Sequence, residues 1–176
     1  PCAFVSVGSS AIIGAIAEGR LIYLTLKKVI LYLFATSIGE VLVIAGALFI
    51  GLPLPVVAVQ IIWLNFVTDG FFVVALAGDK TRSNLLTAAE TKSDRLVDEL
   101  MIQRMVVMGF GMLLAALPVF YYYLARGYDL EYARTMALVV LAVTQWFNAF
   151  NVRSRFRSVF VTPMNNFLLL VSFFIV

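Results

Sequence analysis

The sequence predicts an all-α, polytopic transmembrane bundle, and three observations carry that expectation. The chain is 62% hydrophobic and only 13% charged, with a mean hydropathy of +1.00, where soluble domains run near ~25% charged. Its charges are clustered, and the apolar runs between them reach about 20 residues or more, enough for a helix to cross a ~30 Å hydrocarbon core. Those runs do not alternate apolar with polar residues, as the ~10-residue strands of a closed barrel would. In lipid that leaves helices.

The first helix is expected over about 21–52, where Val29–Leu52 is apolar except for Thr36, Ser37 and Glu40. Gly51-Leu-Pro-Leu-Pro55 reads as a turn. A second helix is expected over 54–78, interrupted at Thr68-Asp69-Gly70. The mixed-charge stretch 79–98 is a loop. A third helix follows over 99–124, carrying Arg104 and Pro118, then a short polar loop at Arg126–Glu131. The fourth covers 132–152 and carries Arg134 and Gln145. A further apolar run, 164–176, makes roughly four turns, too few to cross a membrane. The chain begins at Pro1 and ends inside that run, so it is expected to be incomplete at both ends. The first 20 residues lack the basic and apolar regions of a signal peptide. No internal repeat or low-complexity segment is visible.

Sidedness follows from the basic residues. Arg20, Lys27, Lys28, Lys80, Arg82, Lys92, Arg95, Arg104, Arg153, Arg155 and Arg157 fall on one side of four crossings, and only Arg126 and Arg134 on the other. The richer side is therefore cytoplasmic, which makes 79–98 a cytoplasmic loop. Tyr121, Tyr122, Tyr123, Tyr128 and Tyr132 crowd the outer boundary and read as an aromatic belt in preference to a binding site. Lys27 and Lys28 read as interface anchors. Asp94, Asp98 and Glu99 read as a solvated face, and Gly109 and Gly111 as helix-packing positions. The lipid bilayer is the expected partner; nothing points to nucleic acid.

Glu40 and Asp69 are acids deep in apolar spans, and such residues mark an ion or proton pathway by default. Glu40 lies roughly 18 Å past Lys28, Asp69 roughly 21 Å past Pro55 and Gln145 roughly 20 Å past Tyr132 on straight helices. The three therefore fall within about two helical turns of one another in depth and can converge. Ser37 shares a helix face with Glu40, and Asn148 with Gln145. Asn65, Thr68 and Asp69 form one polar stripe on an apolar helix. Ser, Thr, Asn and Gln also act as interhelical glue, which suits Asn148 and Ser37 but accounts poorly for two carboxylates. Gly70 after Asp69 predicts local unwinding, as in broken transporter helices. One cysteine, Cys2, and no histidine exclude an internal disulfide framework and a soft-ligand metal centre. Carboxylates with neutral oxygens instead suit a hard divalent cation.

The stretches Ile16-Ala-Glu-Gly-Arg-Leu-Ile-Tyr23, Lys27-Lys28, Ser37-Ile-Gly-Glu40, Gly51-Leu-Pro and Gln60-Ile-Ile-Trp-Leu-Asn-Phe-Val-Thr-Asp-Gly70 resemble the P-type cation-transporting ATPases, type II, calcium-pump-like. Thr144-Gln-Trp-Phe-Asn-Ala-Phe-Asn151 resembles the eighth transmembrane helix of that family. The resemblance covers 11–78 most strongly and extends to 132–152. It implies that 1–19 closes the phosphorylation domain and stalk hinge, that 14–28 is the stalk, and that 20–176 is the carboxyl-terminal transmembrane domain. The spans would be transmembrane helices five to eight plus the start of nine.

The resemblance further implies a metal site formed by Ser37, Glu40, Asn65, Thr68, Asp69 and Gln145, with Asp69 bridging two ion positions. It implies Ca2+ as the transported ion, and ATP and Mg2+ acting only through domains of the parent ATPase that this chain lacks. No catalytic or cofactor-binding residue is expected in the chain itself. Helix five would carry movement from the phosphorylation domain into the membrane. Ser37 stands where the family has asparagine, and Gln145 where it has glutamate, so manganese or sodium/proton exchange stay open beside calcium. Asp79-Lys80-Thr81 resembles the start of the phosphorylated motif, but it follows the wrong helix and continues Arg82-Ser83. A stand-alone or remnant bundle with a passive cation site is the alternative. A bacterial plasma membrane is the expected location.

Overall fold

The computed structural model describes residues 9–78 and 97–153. The Asp79-Lys80-Thr81 segment, Asp94, most of the 79–98 connector, the basic residues Arg155 and Arg157, and the apolar run 164–176 lie outside the described residues. The described chain is all helical: α1 (Ser9–Phe49), α2 (Ala58–Trp63), a π-helical turn (Leu64–Asp69), α3 (Gly70–Ala77), α4 (Glu99–Ala125) and α5 (Leu130–Arg153). α2, the π-turn and α3 follow one another without a break, so four helices are long and apolar enough to cross a membrane. The chain is an integral, multi-pass membrane protein.

The helix ends follow from local sequence. α1 stops at Gly51, which takes φ +75°, a conformation that a side chain would strain. The Gly51 amide bonds the Leu48 carbonyl at 3.1 Å and the Leu52 amide bonds the Ala47 carbonyl at 2.9 Å, which is a Schellman closure. α4 ends the same way at Gly127, φ +80°, with Gly127 to Leu124 at 3.0 Å and Tyr128 to Tyr123 at 3.2 Å. The Tyr123 and Tyr128 rings then meet edge to face, 5.4 Å apart, supplying the apolar contact such closures favour. Tyr132 stacks on Tyr128 at 5.2 Å. α2 starts with the Val57 amide bonded to Gln60 Oε1 at 3.0 Å.

α1 has 41 residues, about 60 Å of helix, twice the thickness of a bilayer core. The stretch expected as a stalk and the first span are thus one uninterrupted rod. Its membrane part packs closely on α4. A Cβ on Gly109 would come within 2.9 Å of Ile38 Cγ2 and 3.3 Å of the Gly39 amide. A Cβ on Gly39 would collide with the Met112 sulfur. Close approach of this kind replaces the hydrophobic drive that lipid cannot supply. Gly111 faces outward with nothing within 4 Å of a Cβ, so of the two glycines expected to pack, only Gly109 does.

Polar contacts tie the two ends of the bundle. At one end Lys27 Nζ pairs with Asp98 Oδ2 at 3.3 Å, both side chains largely buried, and Arg104 donates to the Asn151 carbonyl at 2.9 Å. At the other end Arg134 Nε donates to the Leu54 carbonyl at 3.1 Å. These contacts group Lys27 and Arg104 at one end and Arg134 at the other, as the charge pattern required. They also correct one reading: Asp98 faces α1, not open solvent, and its ion pair holds Lys27 in addition to that residue's position.

Apolar packing comes in layers. One cluster holds Leu31, Tyr32, Ala35, Phe72, Ala75, Leu76, Met101, Met105, Ala149 and Val152. A second holds Val43, Val56, Leu64, Met112, Ala116, Leu141 and Ala142. Between them, on α1, the π-turn and α5, lie the buried polar residues Thr36, Glu40, Thr68, Asp69, Gln145 and Asn148. Many large apolar side chains, Phe49 and Phe66 among them, point outward, the surface a lipid-facing bundle presents.

Gly109→Val is expected to lower thermal stability in detergent by roughly 1–3 kcal/mol through overpacking against Ile38, while Gly111→Val leaves it unchanged. Asp98→Ala should cost about 1 kcal/mol. A double-mutant cycle with Lys27→Ala, read by thermal unfolding, should show coupling between the two.

Candidate cation site

α1, the π-turn and α5 each give one stripe to the polar layer. On α1, Tyr32, Thr36 and Glu40 recur every four residues and so share one face. On α5, Gln145, Asn148, Ala149 and Val152 are all buried. On the composite helix, Leu64, Thr68 and Asp69 are buried within the π-turn. Hydrogen bonding from i to i+5 puts an extra residue in this turn. Gly70 keeps a helical conformation, φ −58° and ψ −50°. The expected unwinding at Gly70 is therefore absent; the helix widens before it instead. Widening keeps backbone groups bonded within the helix, which the lipid interior demands.

Each of the two carboxylates receives one donor per oxygen. Glu40 Oε1 accepts from Gln145 Nε2 at 2.9 Å, and Glu40 Oε2 from Asn65 Nδ2 at 3.1 Å. Asp69 Oδ1 accepts from the Tyr32 hydroxyl at 2.9 Å, and Asp69 Oδ2 from Thr36 Oγ1 at 3.0 Å. Thr36 and Glu40 are four residues apart on α1, about 6 Å along the helix axis. Glu40 is 6% exposed and Asp69 2%. Two buried carboxylates with no basic side chain among these partners are costly, and their pairing with neutral donors only partly offsets that.

Not every polar atom is matched. Among the described residues, Gln145 Oε1, Thr68 Oγ1 and Asn148 Nδ2 are buried without a hydrogen-bond partner. Gln145 Oε1 belongs to the amide group that donates to Glu40. A buried acceptor without a partner costs about 1–3 kcal/mol. Carboxylates, amide oxygens and hydroxyls are hard ligands, and the donor set fits an oxygen-coordinated cation. Among the described residues no three of His, Cys, Asp and Glu come together, so any ion here relies on neutral oxygens as well as on the two charges.

Of the six residues expected at the site, Glu40, Asn65 and Gln145 are joined by hydrogen bonds, while Asp69 is bonded to Tyr32 and Thr36. Thr68 is buried beside Asp69 in the chain, with its hydroxyl unpaired. Ser37 is exposed on α1, about 100° around the helix from Thr36, and lies off the buried face. Tyr32 and Thr36 were not expected. Their signal was present as the four-residue spacing Tyr32–Thr36–Glu40.

Comparison with known proteins identifies the family. The family model described as "Cation transporting ATPase, C-terminus" matches residues 53–176. A calcium-transporting ATPase of Bacillus subtilis (strain 168) is 33% identical over 161 residues, covering 89% of this chain and 18% of that protein. An endoplasmic reticulum-type calcium-transporting ATPase 3 of Arabidopsis thaliana is 31% identical over 187 residues, covering 89% of this chain and 19% of that protein. A probable cation-transporting ATPase F of Mycobacterium tuberculosis (strain ATCC 25618 / H37Rv) is 31% identical over 145 residues, 82% of this chain and 16% of that protein. The chain thus spans less than a fifth of the length of these curated relatives. By the extent of the family match and by its identity to these relatives, the chain belongs to the C-terminal membrane region of the P-type cation-transporting ATPases.

Proposed function

We propose that this chain is the ion-binding membrane portion of an ATP-driven cation pump and that Ca2+ is the ion it carries. The observation that supports this most is the buried pair Glu40 and Asp69, each oxygen held by a neutral donor, beside the unsatisfied Gln145 Oε1. A cation entering the layer would replace amide and hydroxyl protons with oxygen lone pairs. Gln145 and Asn65 present either their NH2 groups or their carbonyl oxygens by turning about the last torsion. With the NH2 groups turned inward they solvate Glu40 as donors, and with the carbonyl oxygens turned inward they would serve as ligands. Calcium suits such a site because it accepts ~6 to 8 oxygens in flexible geometry, whereas magnesium holds on to its waters. The names of the relatives favour calcium as well.

The rod-like α1 supports the coupling part of the proposal. It runs from Ser9 through Thr36 and Glu40 without interruption. Displacement at its start, about 45 Å from Glu40, would therefore reach the site as a rigid-body movement. ATP and Mg2+ would act in domains of the parent ATPase, with phosphorylation of an aspartate there driving alternating access. The cation passes through the site as cargo, and the chain's own groups bind it, orient it and shield it from lipid.

Glu40→Gln and Asp69→Asn are each expected to weaken Ca2+ binding roughly 100-fold, as loss of a charged ligand worth about 2.7 kcal/mol would. Calorimetric titration of the chain in lipid nanodiscs measures this. Wild-type affinity in both variants would remove the site. The reading frame upstream of Pro1 is expected to encode an Asp-Lys-Thr-Gly-Thr phosphorylation motif. A nearby start codon without that motif would leave a passive cation-binding bundle in place of a pump.

A further inference from the structure

Thr36 is completely buried, and its hydroxyl faces three acceptors with one proton to give. Oγ1 lies 3.0 Å from the Leu33 carbonyl, 3.2 Å from the Tyr32 carbonyl and 3.0 Å from Asp69 Oδ2. A hydroxyl carries one donor and two lone pairs. Bonding back to the carbonyl three or four residues earlier is a normal resting orientation for a threonine in a helix. The Thr36 proton therefore has two places to go: onto Asp69, or onto the backbone of its own helix.

The two orientations differ in what they show the site. With the proton on Asp69 Oδ2, Thr36 is a donor that partly satisfies a buried carboxylate. With the proton on the Leu33 or Tyr32 carbonyl, a lone pair of Oγ1 faces Asp69 Oδ2. Two oxygens facing each other through lone pairs repel unless a cation lies against both. We propose that Thr36 Oγ1 is a ligand of the transported cation, alongside Asp69 Oδ2, and that its hydroxyl turns between donor and ligand as the site empties and fills.

The spacing agrees with that role. Two oxygens 3.0 Å apart, each ~2.4 Å from a calcium ion, subtend an angle of about 77°, near the ~72° between neighbours in the equator of a pentagonal bipyramid. The pair is thus spaced to form one edge of such a shell. Asp69 meanwhile stays anchored through Oδ1, which accepts from Tyr32 at 2.9 Å. Tyr32 is thus a positioning residue, and Thr36 a ligand. Thr68, with its buried and unpaired hydroxyl, precedes Asp69 in the π-turn and offers a further neutral oxygen at the same level. The inference rests on the cation-site reading proposed above.

The test compares Thr36→Val, which keeps the branched shape and removes the hydroxyl, with Thr36→Ser, which keeps the hydroxyl. Ca2+ is titrated into each full chain in lipid nanodiscs by calorimetry, and the shift of Tm caused by Ca2+ is recorded in parallel. The expected result is at least a tenfold loss of affinity and a smaller calcium-dependent Tm shift in Thr36→Val, with Thr36→Ser within about threefold of wild type. If Thr36→Val does not fold, Thr36→Ala takes its place with the same expected loss. Wild-type affinity in the variant lacking the hydroxyl overturns the inference, and so does an equal loss in Thr36→Ser, which would make shape and not the oxygen responsible. Absence of Ca2+ binding in the wild-type chain is a separate result: it removes the cation site itself and this inference with it.

Discussion

Two carboxylates inside an apolar bundle set the terms for everything around them. Burying charge without a counter-charge is expensive, and here the compensation comes from four neutral donors on three helices: Gln145, Asn65, Tyr32 and Thr36. Each donor must sit at hydrogen-bond distance from one carboxylate oxygen. That requirement fixes the depth and rotation of α1, the π-turn and α5 relative to one another. The compensation is incomplete, because Gln145 Oε1 and Thr68 Oγ1 remain unmatched. An arrangement that holds charge at such cost, and leaves buried oxygens unmatched, has the chemistry of a site for a hard cation.

The rest of the fold serves that layer. Apolar clusters lie on both sides of it along the helices and separate it from the two ends of the bundle. Gly39 and Gly109 let α1 and α4 approach closely, so the helix that carries Thr36 and Glu40 is backed by a firm surface. The π-turn sets Leu64, Thr68 and Asp69 toward the interior before α3 resumes with Phe72, Ala75 and Leu76 inward. The ends are fastened by Lys27 with Asp98 and by Arg134 with the Leu54 carbonyl.

Much of this was legible in the sequence because lipid makes polarity conspicuous. Glu40, Asp69 and Gln145 stood out against apolar runs, and counting residues from the interface brought them to one depth. Asn65 followed from its spacing to Asp69. Thr36 and Tyr32 were missed because threonine and tyrosine are unremarkable in membrane helices. Only the position of Glu40, four residues beyond Thr36 and eight beyond Tyr32, gives them meaning. Ser37 was chosen by its spacing to Glu40 and by family resemblance, yet the buried face of α1 runs through Thr36. The direction a helix turns toward its neighbours is a tertiary property, and a one-residue difference moves a side chain by about 100°. Gly70 suggested a break because glycine permits one. Saturation of the backbone in lipid favoured a π-turn instead, and no local sequence rule distinguishes the two. The Lys27–Asp98 pair joins residues 71 apart and was invisible for the same reason.

In the proposed pump, Glu40 and Asp69 exchange hydrogen-bond donors for a cation. Infrared difference spectroscopy observes this directly, by adding Ca2+ to the chain in nanodiscs and following the carboxylate stretching bands. The expected result is a calcium-induced shift of those bands that is reduced in Glu40→Gln, reduced in Asp69→Asn and absent when both are changed. A spectrum that does not respond to Ca2+, or a response that persists in the double variant, would contradict it.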